Sequence, residues 1–142
     1  MTELESKLRI YYITVIFSVI FAVIGFSYNA WRLESSEENN NIRTAAFQVL
    51  NELAELEQII YAAHYDQDAV AGSPRKGWVK VGLIVDLSVL IDSSVEKETQ
   101  ELHMTWAESW ESLSSEKAVA DNLIVKIDSV RKQVKHILYS LE

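Results

Sequence analysis

Cysteine is missing from this sequence, proline occurs once, and there are only four glycines. The first absence excludes a disulfide framework, thiol catalysis and cysteine-bound zinc or iron–sulfur sites, while leaving the compartment open. The four glycines form no phosphate-cradling loop. Three histidines, His64, His103 and His136, fall on three different predicted helices. None completes a Glu-x-x-His pair, so the di-iron bundle pattern fails. Serines cluster at helix starts, where capping accounts for them. The expectation is therefore no enzyme, no cofactor and no metal site. Positive charge is also scarce. From Leu33 onward, ten Lys or Arg (the chain's 13 less Lys7, Arg9 and Arg32) face nineteen Asp or Glu (21 less Glu3 and Glu5), a net −9. That balance leaves no electrostatic footprint for nucleic acid.

What the sequence does contain begins with an uncharged apolar run from Ile10 to Tyr28. A bilayer core takes about 20 apolar residues in helix, and the stretch 10–31 supplies them between Lys7 and Arg9 on one flank and Arg32 on the other. Eleven of residues 10–30 are Ile, Val or Phe, each worth roughly −0.3 to −0.6 kcal/mol at mid-membrane. Tyr11 and Tyr12 at one end, and Tyr28 and Trp31 at the other, stand where interfacial aromatics belong. The bulky Tyr28 in Tyr28-Asn29-Ala30 spoils a cleavage site, so an uncleaved anchor is expected rather than a signal peptide. The flanking cations set orientation weakly. The expected arrangement is a cytoplasmic tail (residues 1–9) and a domain on the far side, periplasmic in the inner membrane of a bacterium. Within the segment, Thr14, Ser18, Ala22, Gly25 and Asn29 recur at steps of four, four, three and four, which places them on one helix face. Small, weakly polar residues so aligned let a second transmembrane helix approach closely.

Residues 32–41 read as a polar linker or as a continuation of the helix, with Ser35 and Glu38 as a capping box and Asn39-Asn40-Asn41 as a joint. Residues 42–142 read as a helical bundle. Ile42, Ala46, Val49, Leu53, Leu56, Ile60 and Ala63 alternate at four and three, a heptad seam. Asp66 to Gly72 is loop, and Ser73-Pro74 opens a second helix to about Ile91. Residues 78–91 are apolar on nearly every side and fit a helix or a buried strand; their helical neighbours favour helix. Ser93 with Glu96 forms a capping box for a third helix, whose buried face is Val95, Thr99, Leu102, Trp106, Trp110 and Leu113. Ser114-Ser115 caps a fourth, with Ala120, Leu123, Ile127, Val130, Val134, Ile137 and Leu141 in register. The fold class expected is all-α: one N-terminal transmembrane helix followed by an antiparallel, up-down four-helix bundle with coiled-coil-like packing.

Two cationic sites stand out. Arg75 and Lys76 occupy the first turn of the second helix, where the dipole disfavours them by about 0.3–1 kcal/mol; they mark an exposed tip or a contact for an anion or an acidic partner. Arg131, Lys132 and Lys135, with His136, crowd the end of the fourth helix. They complement its dipole or meet lipid headgroups, at about 1 kcal/mol per residue. The expected partners are the bilayer and other membrane subunits or further copies of the chain. The leading function is an accessory or scaffold subunit of a membrane complex. As an alternative, the tethered bundle resembles in architecture the membrane-proximal four-helix sensing domains of bacterial chemoreceptors, without a shared motif. That resemblance implies a small solute bound between helices. Those receptors carry a second span; a single span is expected here, so a sensor is expected to act through a partner.

The seam on the fourth helix carries a direct test. Ile127→Asp puts an unpaired charge into the core and is expected to abolish the helical circular dichroism of the bundle; an unchanged spectrum and melting temperature would refute the register.

Overall fold

The apolar spacing of the sequence places the helices, though not every helix end. In the computed structural model, which describes residues 3–141, helix α1 runs Glu3–His64, α2 Pro74–Ser88, α3 Ser93–Ser109 and α4 Lys117–Ser140. One turn of 3₁₀ helix, Trp110–Ser112, follows α3. Met1 and Thr2 of the expected tail, and Glu142 of the expected bundle, lie outside the described residues. The chain divides into two units, one up to Glu38 and one from Asn39 on. In the first, a single helical stretch is long and apolar enough to be a membrane span or a signal sequence.

The second unit is all-α, four helices packed antiparallel, and the pairs across each interface establish the sense. Along α1 and α4, Arg43 meets Leu141, Glu57 meets Arg131 and Tyr65 meets Asp121, so numbers rise on one helix as they fall on the other. Glu101 with Lys126 and Ser94 with Gln133 do the same for α3 and α4. Ser88 with Thr99 and Trp78 with Trp106 do it for α2 and α3. Glu52 and Glu55 hold Lys80 across α1 and α2.

Between these helices the three-and-four seams close into one core. Val49, Leu53, Leu56 and Ile60 of α1 are fully buried against Leu123, Ile127, Val130 and Val134 of α4 and the inner residues of α2 and α3. Each such side chain contributes roughly 1.5–3 kcal/mol. Trp106 of α3 is the largest fully buried side chain. Its indole Nε1–H has no acceptor among the described residues, so its packing must offset the roughly 1–3 kcal/mol that an unmet buried donor costs.

Two glycines exist because backbone or ring must come close. A Cβ on Gly77 would overlap the indole of Trp106, and one on Gly72 would overlap the backbone of Ala63. The loop joining α1 to α2 turns at Gln67, whose φ of 53° lies in the left-handed region, at roughly 1–2 kcal/mol. Its amide fixes the turn by donating to the carbonyls of His64 and, at 3.0 Å, Ser114.

Several local expectations need correction. Residues 32–41 are helical throughout, so the polar run is a continuation of α1 and Ser35 with Glu38 starts nothing. Charged side chains favour solvent on every side there, and Asn39-Asn40-Asn41 is too short to overturn helix on both flanks. Residues 78–88 are helix and not strand, but α2 ends three residues early: Val89 and Leu90 form an exposed turn and Ile91 returns to the core. Nor is α2 covered on every apolar side, since Val79 is 67% exposed. The cap of α3 is Asp92, whose carboxylate accepts from the Ser94 N–H at 2.8 Å; a carboxylate outcompetes the Ser93 hydroxyl as an acceptor at a positive helix end. Glu116, not Ser114-Ser115, precedes α4, and neither it nor Ser73 makes a side-chain cap bond.

The two helical glycines of α2 give opposite expectations. Gly77→Ala should lower stability by about 1–3 kcal/mol through overpacking, whereas Gly82→Ala, with open space around the added carbon, should raise it by about 0.5–1 kcal/mol. Thermal denaturation of both variants decides; equal shifts would show that Trp106 does not depend on Gly77.

Candidate functional site

In the first unit every described residue is exposed, including Phe26 at 77% and Phe21 at 70%. Exposed apolar surface on this scale is far more than a soluble monomer ordinarily leaves in water. The five small residues sit in that surface. The Thr14 hydroxyl donates to the Ile10 carbonyl at 3.0 Å and the Ser18 hydroxyl to the Thr14 carbonyl at 2.9 Å. Both are thereby satisfied within their own helix, and neither presents an unpaired donor outward. Ala22, Gly25 and Asn29 are exposed, and nothing lies within 4 Å of a Cβ built on Gly25. Chemically this is a smooth strip on which a helix can settle by close packing.

Of the two cationic groups that the sequence suggests, the one on α4 is divided. Arg131 is turned onto α1, its guanidinium 2.6 Å from Glu57, and also pairs with Asp128. It is a link between helices, and the expected cluster with Lys132 and Lys135 is split. Those two lysines are exposed. Lys135 borders a groove of about 340 Å³ between α1 and α4, with Arg43, Phe47, Leu50, Leu138 and Tyr139. Arg75 and Lys76 are exposed on the first turn of α2, and Lys76 borders a second groove, about 650 Å³, between α1 and α2. Asp68 spends its carboxylate on the N–H groups of Ala71 and Val70, each at 2.9 Å; these bonds, with the charge of Lys76, hold its pKa below the ordinary 3.8.

A third groove, about 320 Å³, opens at the α1–α2 loop between Gln67, Gly72, Trp110, Glu111 and Leu113. Trp106 and Trp110 are thus separated in role: one is core, the other lines a surface hollow. His64 bonds the Leu113 carbonyl at 3.0 Å, His103 stacks edge-on to Trp78, and His136 is exposed. Among the described residues, no three of His, Asp and Glu gather to hold a metal ion.

What sequence reasoning missed is the polar link at each interface: Glu52 and Glu55 with Lys80, Ser88 with Thr99, Glu101 with Lys126, and Glu57 with Arg131. A charged or hydroxyl residue flanking the apolar seam is the signal for it, since flanking positions face the neighbouring helix rather than solvent. No protein-family model, curated protein or solved structure matches the chain.

These pairs contribute to the acid stability. Hydrogen bonding and charge from Lys80 hold Glu55 below the ordinary 4.5, and Lys126 does the same for Glu101. Partial burial pushes Glu57 up, but hydrogen bonds from Tyr61 and Arg131 with the Arg131 charge outweigh it, and its pKa is also lowered. A carboxylate with a depressed folded pKa stabilises fully above its unfolded value and loses that contribution as pH falls through the folded one. The melting temperature should therefore hold from neutrality down to about pH 5 and fall below about pH 4.5. Glu57→Gln should flatten part of that acid limb; an identical pH profile in the variant would show that its pairing contributes nothing.

Proposed function

We propose that the chain is a single-pass membrane protein whose helical bundle serves as an accessory or scaffold subunit of a larger membrane complex, held there by helix–helix packing. The observation that carries this reading is the exposed apolar half of α1 with its aligned Thr14, Ser18, Ala22, Gly25 and Asn29. Lipid alone asks for apolar length; it does not ask for small residues on one side. Residues 10–31 are the span, and the bundle faces the extracytoplasmic side, following the cations ahead of the span. Glu52, Glu55, Glu57 and Glu101, with Ser88 and Thr99, are committed to the bundle's own interfaces, which suits a rigid spacer better than a reaction centre.

A solute-binding sensor is the second reading, favoured by the hollow beside Trp110 and Glu111, whose volume lies at the low end of the range for small-molecule sites. A ligand there would raise the melting temperature by mass action, whereas a scaffold would show no such dependence on small solutes.

Gentle detergent extraction from native membranes, followed by mass and composition of the particle, tests the first reading. The chain is expected in the membrane fraction with a stoichiometric membrane partner. Ala22→Leu and Gly25→Leu should release that partner while leaving the chain in the membrane. Retention of the partner in both variants would refute the packing face, and recovery of the wild-type chain in the soluble fraction would refute the anchor.

A further inference from the structure

The groove between α1 and α4 gathers side chains that the bundle itself leaves unused. Its lining is Arg43, Phe47 and Leu50 from α1 with Lys135, Leu138 and Tyr139 from α4. Tyr139, 74% exposed, and Phe47, 63% exposed, are the two most exposed aromatic residues of the second unit. Among the described residues, neither ring meets another. Nor, among those residues, does Arg43 or Lys135 pair with a carboxylate. The Arg43 guanidinium donates to the Leu141 carbonyl at 3.1 Å and keeps the rest of its donor fork.

The sequence on either side keeps the site positive. On a helix surface the neighbours of a residue stand three and four positions away. Around Arg43 these are Asn39, Asn40, Ala46 and Phe47; around Lys135 they are Arg131, Lys132, Leu138 and Tyr139. None is acidic, although the chain holds 21 Asp or Glu. The carboxylates of Glu57 and Asp128 are engaged by Arg131. The other two grooves differ in this respect: Glu55 lines the one between α1 and α2, and Glu111 the one at the α1–α2 loop.

We infer that this groove binds a single-chain amphiphile with an anionic head, a long-chain fatty acid. Its carboxylate lies between Arg43 and Lys135, and its acyl chain runs along Phe47, Leu50, Leu138 and Tyr139. Charge complementarity selects the head. A chain of net charge −8 repels anions in general, so two unpaired cations beside an apolar floor favour an anion that brings apolar surface with it. The planar fork of Arg43 matches a carboxylate, and Lys135 is a point charge on a flexible stem that can close over it. Size selects the tail. A volume of about 340 Å³ stands at the low end for small-molecule sites, which suits one acyl chain better than the two of a phospholipid. Leu50 and Leu138 are half-buried, and the chain would complete their removal from water. This site is separate from the hollow beside Trp110, and it stands whether or not the apolar segment is a membrane anchor.

Palmitic acid carrying a diazirine on its tail tests the site. It is photo-cross-linked to the full chain, once in intact cells and once after purification, and the adducts are located by peptide mass spectrometry. Labelling is expected on Phe47, Leu50, Leu138 or Tyr139. Palmitate should compete it away, and hexadecanol, which has the same tail without the charge, should not. Lys135→Gln is expected to raise the concentration for half-labelling about two- to fivefold, the worth of one exposed ion pair. Adding Arg43→Gln should abolish the groove adduct. Lys135 makes no side-chain bond among the described residues, so its single variant decides even if Arg43→Gln disturbs the contact with Leu141. Lys76→Gln, beside the groove between α1 and α2, is the control and should change nothing. Adducts confined to residues 10–31 would reveal partitioning alone and overturn the site. So would equal competition by hexadecanol, or variants that label like the wild type. Competition by lysophosphatidate and not by palmitate would overturn the carboxylate head. A groove labelled after purification but shielded in cells would give this surface to a protein partner and overturn the fatty acid as its occupant.

Discussion

Burial of the inner seam of α1 is the constraint on which the bundle depends. The three helices that follow are 15, 17 and 24 residues long, and in a protein most of a helix's stability comes from packing its amphipathic face rather than from propensity. Each carries only one well-covered apolar face. They become stable by condensing on Val49, Leu53, Leu56 and Ile60, and on each other. Short joints then leave little choice but for neighbours to run antiparallel. The longest helix serves as the wall because its spacing of four and three runs without interruption from Ile42 to Ala63.

Within that frame, polar contacts do less for stability than for geometry. Ion pairs such as Lys126 with Glu101 lie partly in solvent, and such pairs are worth about 0–1 kcal/mol each. Ser88 with Thr99 is a buried pair, worth roughly 1 kcal/mol. What they share is that each joins a different pair of neighbouring helices and fits only one alignment. The same economy of charge shapes the surface. Glu55 and Glu57 reach across to Lys80 and Arg131 while still accepting from Asn51 and Tyr61 on the outer face of α1.

The architecture was largely legible because heptad spacing depends on side-chain chemistry that is visible residue by residue. Ala46 to Ala63, Val95 to Leu113 and Ala120 to Val134 read in sequence as the faces that are buried in the fold. Helix starts were less legible. Serine at 73, 93 and 114 looked like a cap each time, yet Asp92 took the role at α3 and no side chain took it at the other two, since capping is decided by a few degrees of backbone. The end of α2 was hidden for a different reason: Val89, Leu90 and Ile91 continue an apolar run, and only the need to turn into α3 separates two exposed residues from a buried one. Of the candidate site, the small-residue strip could be read directly, because it needs nothing but spacing. The split of Arg131 from Lys132 and Lys135 could not, because it depends on Glu57, seventy-four positions away.

Trp106 bears on which function suits the bundle. A domain that signals by sliding one helix past another needs two alignments of similar energy. Here the indole fills the space that Gly77 leaves. A slip of one helical turn would bring it against Val81 on one side or Ser73 on the other, where a side chain already stands in the way. Overpacking of that kind costs about 1–3 kcal/mol, and the polar links made by the slipping helix would break with it. The seam therefore holds one alignment well and its neighbours badly. A spacer that presents a fixed outer face benefits from such a core; a sliding transmitter would be hindered by it.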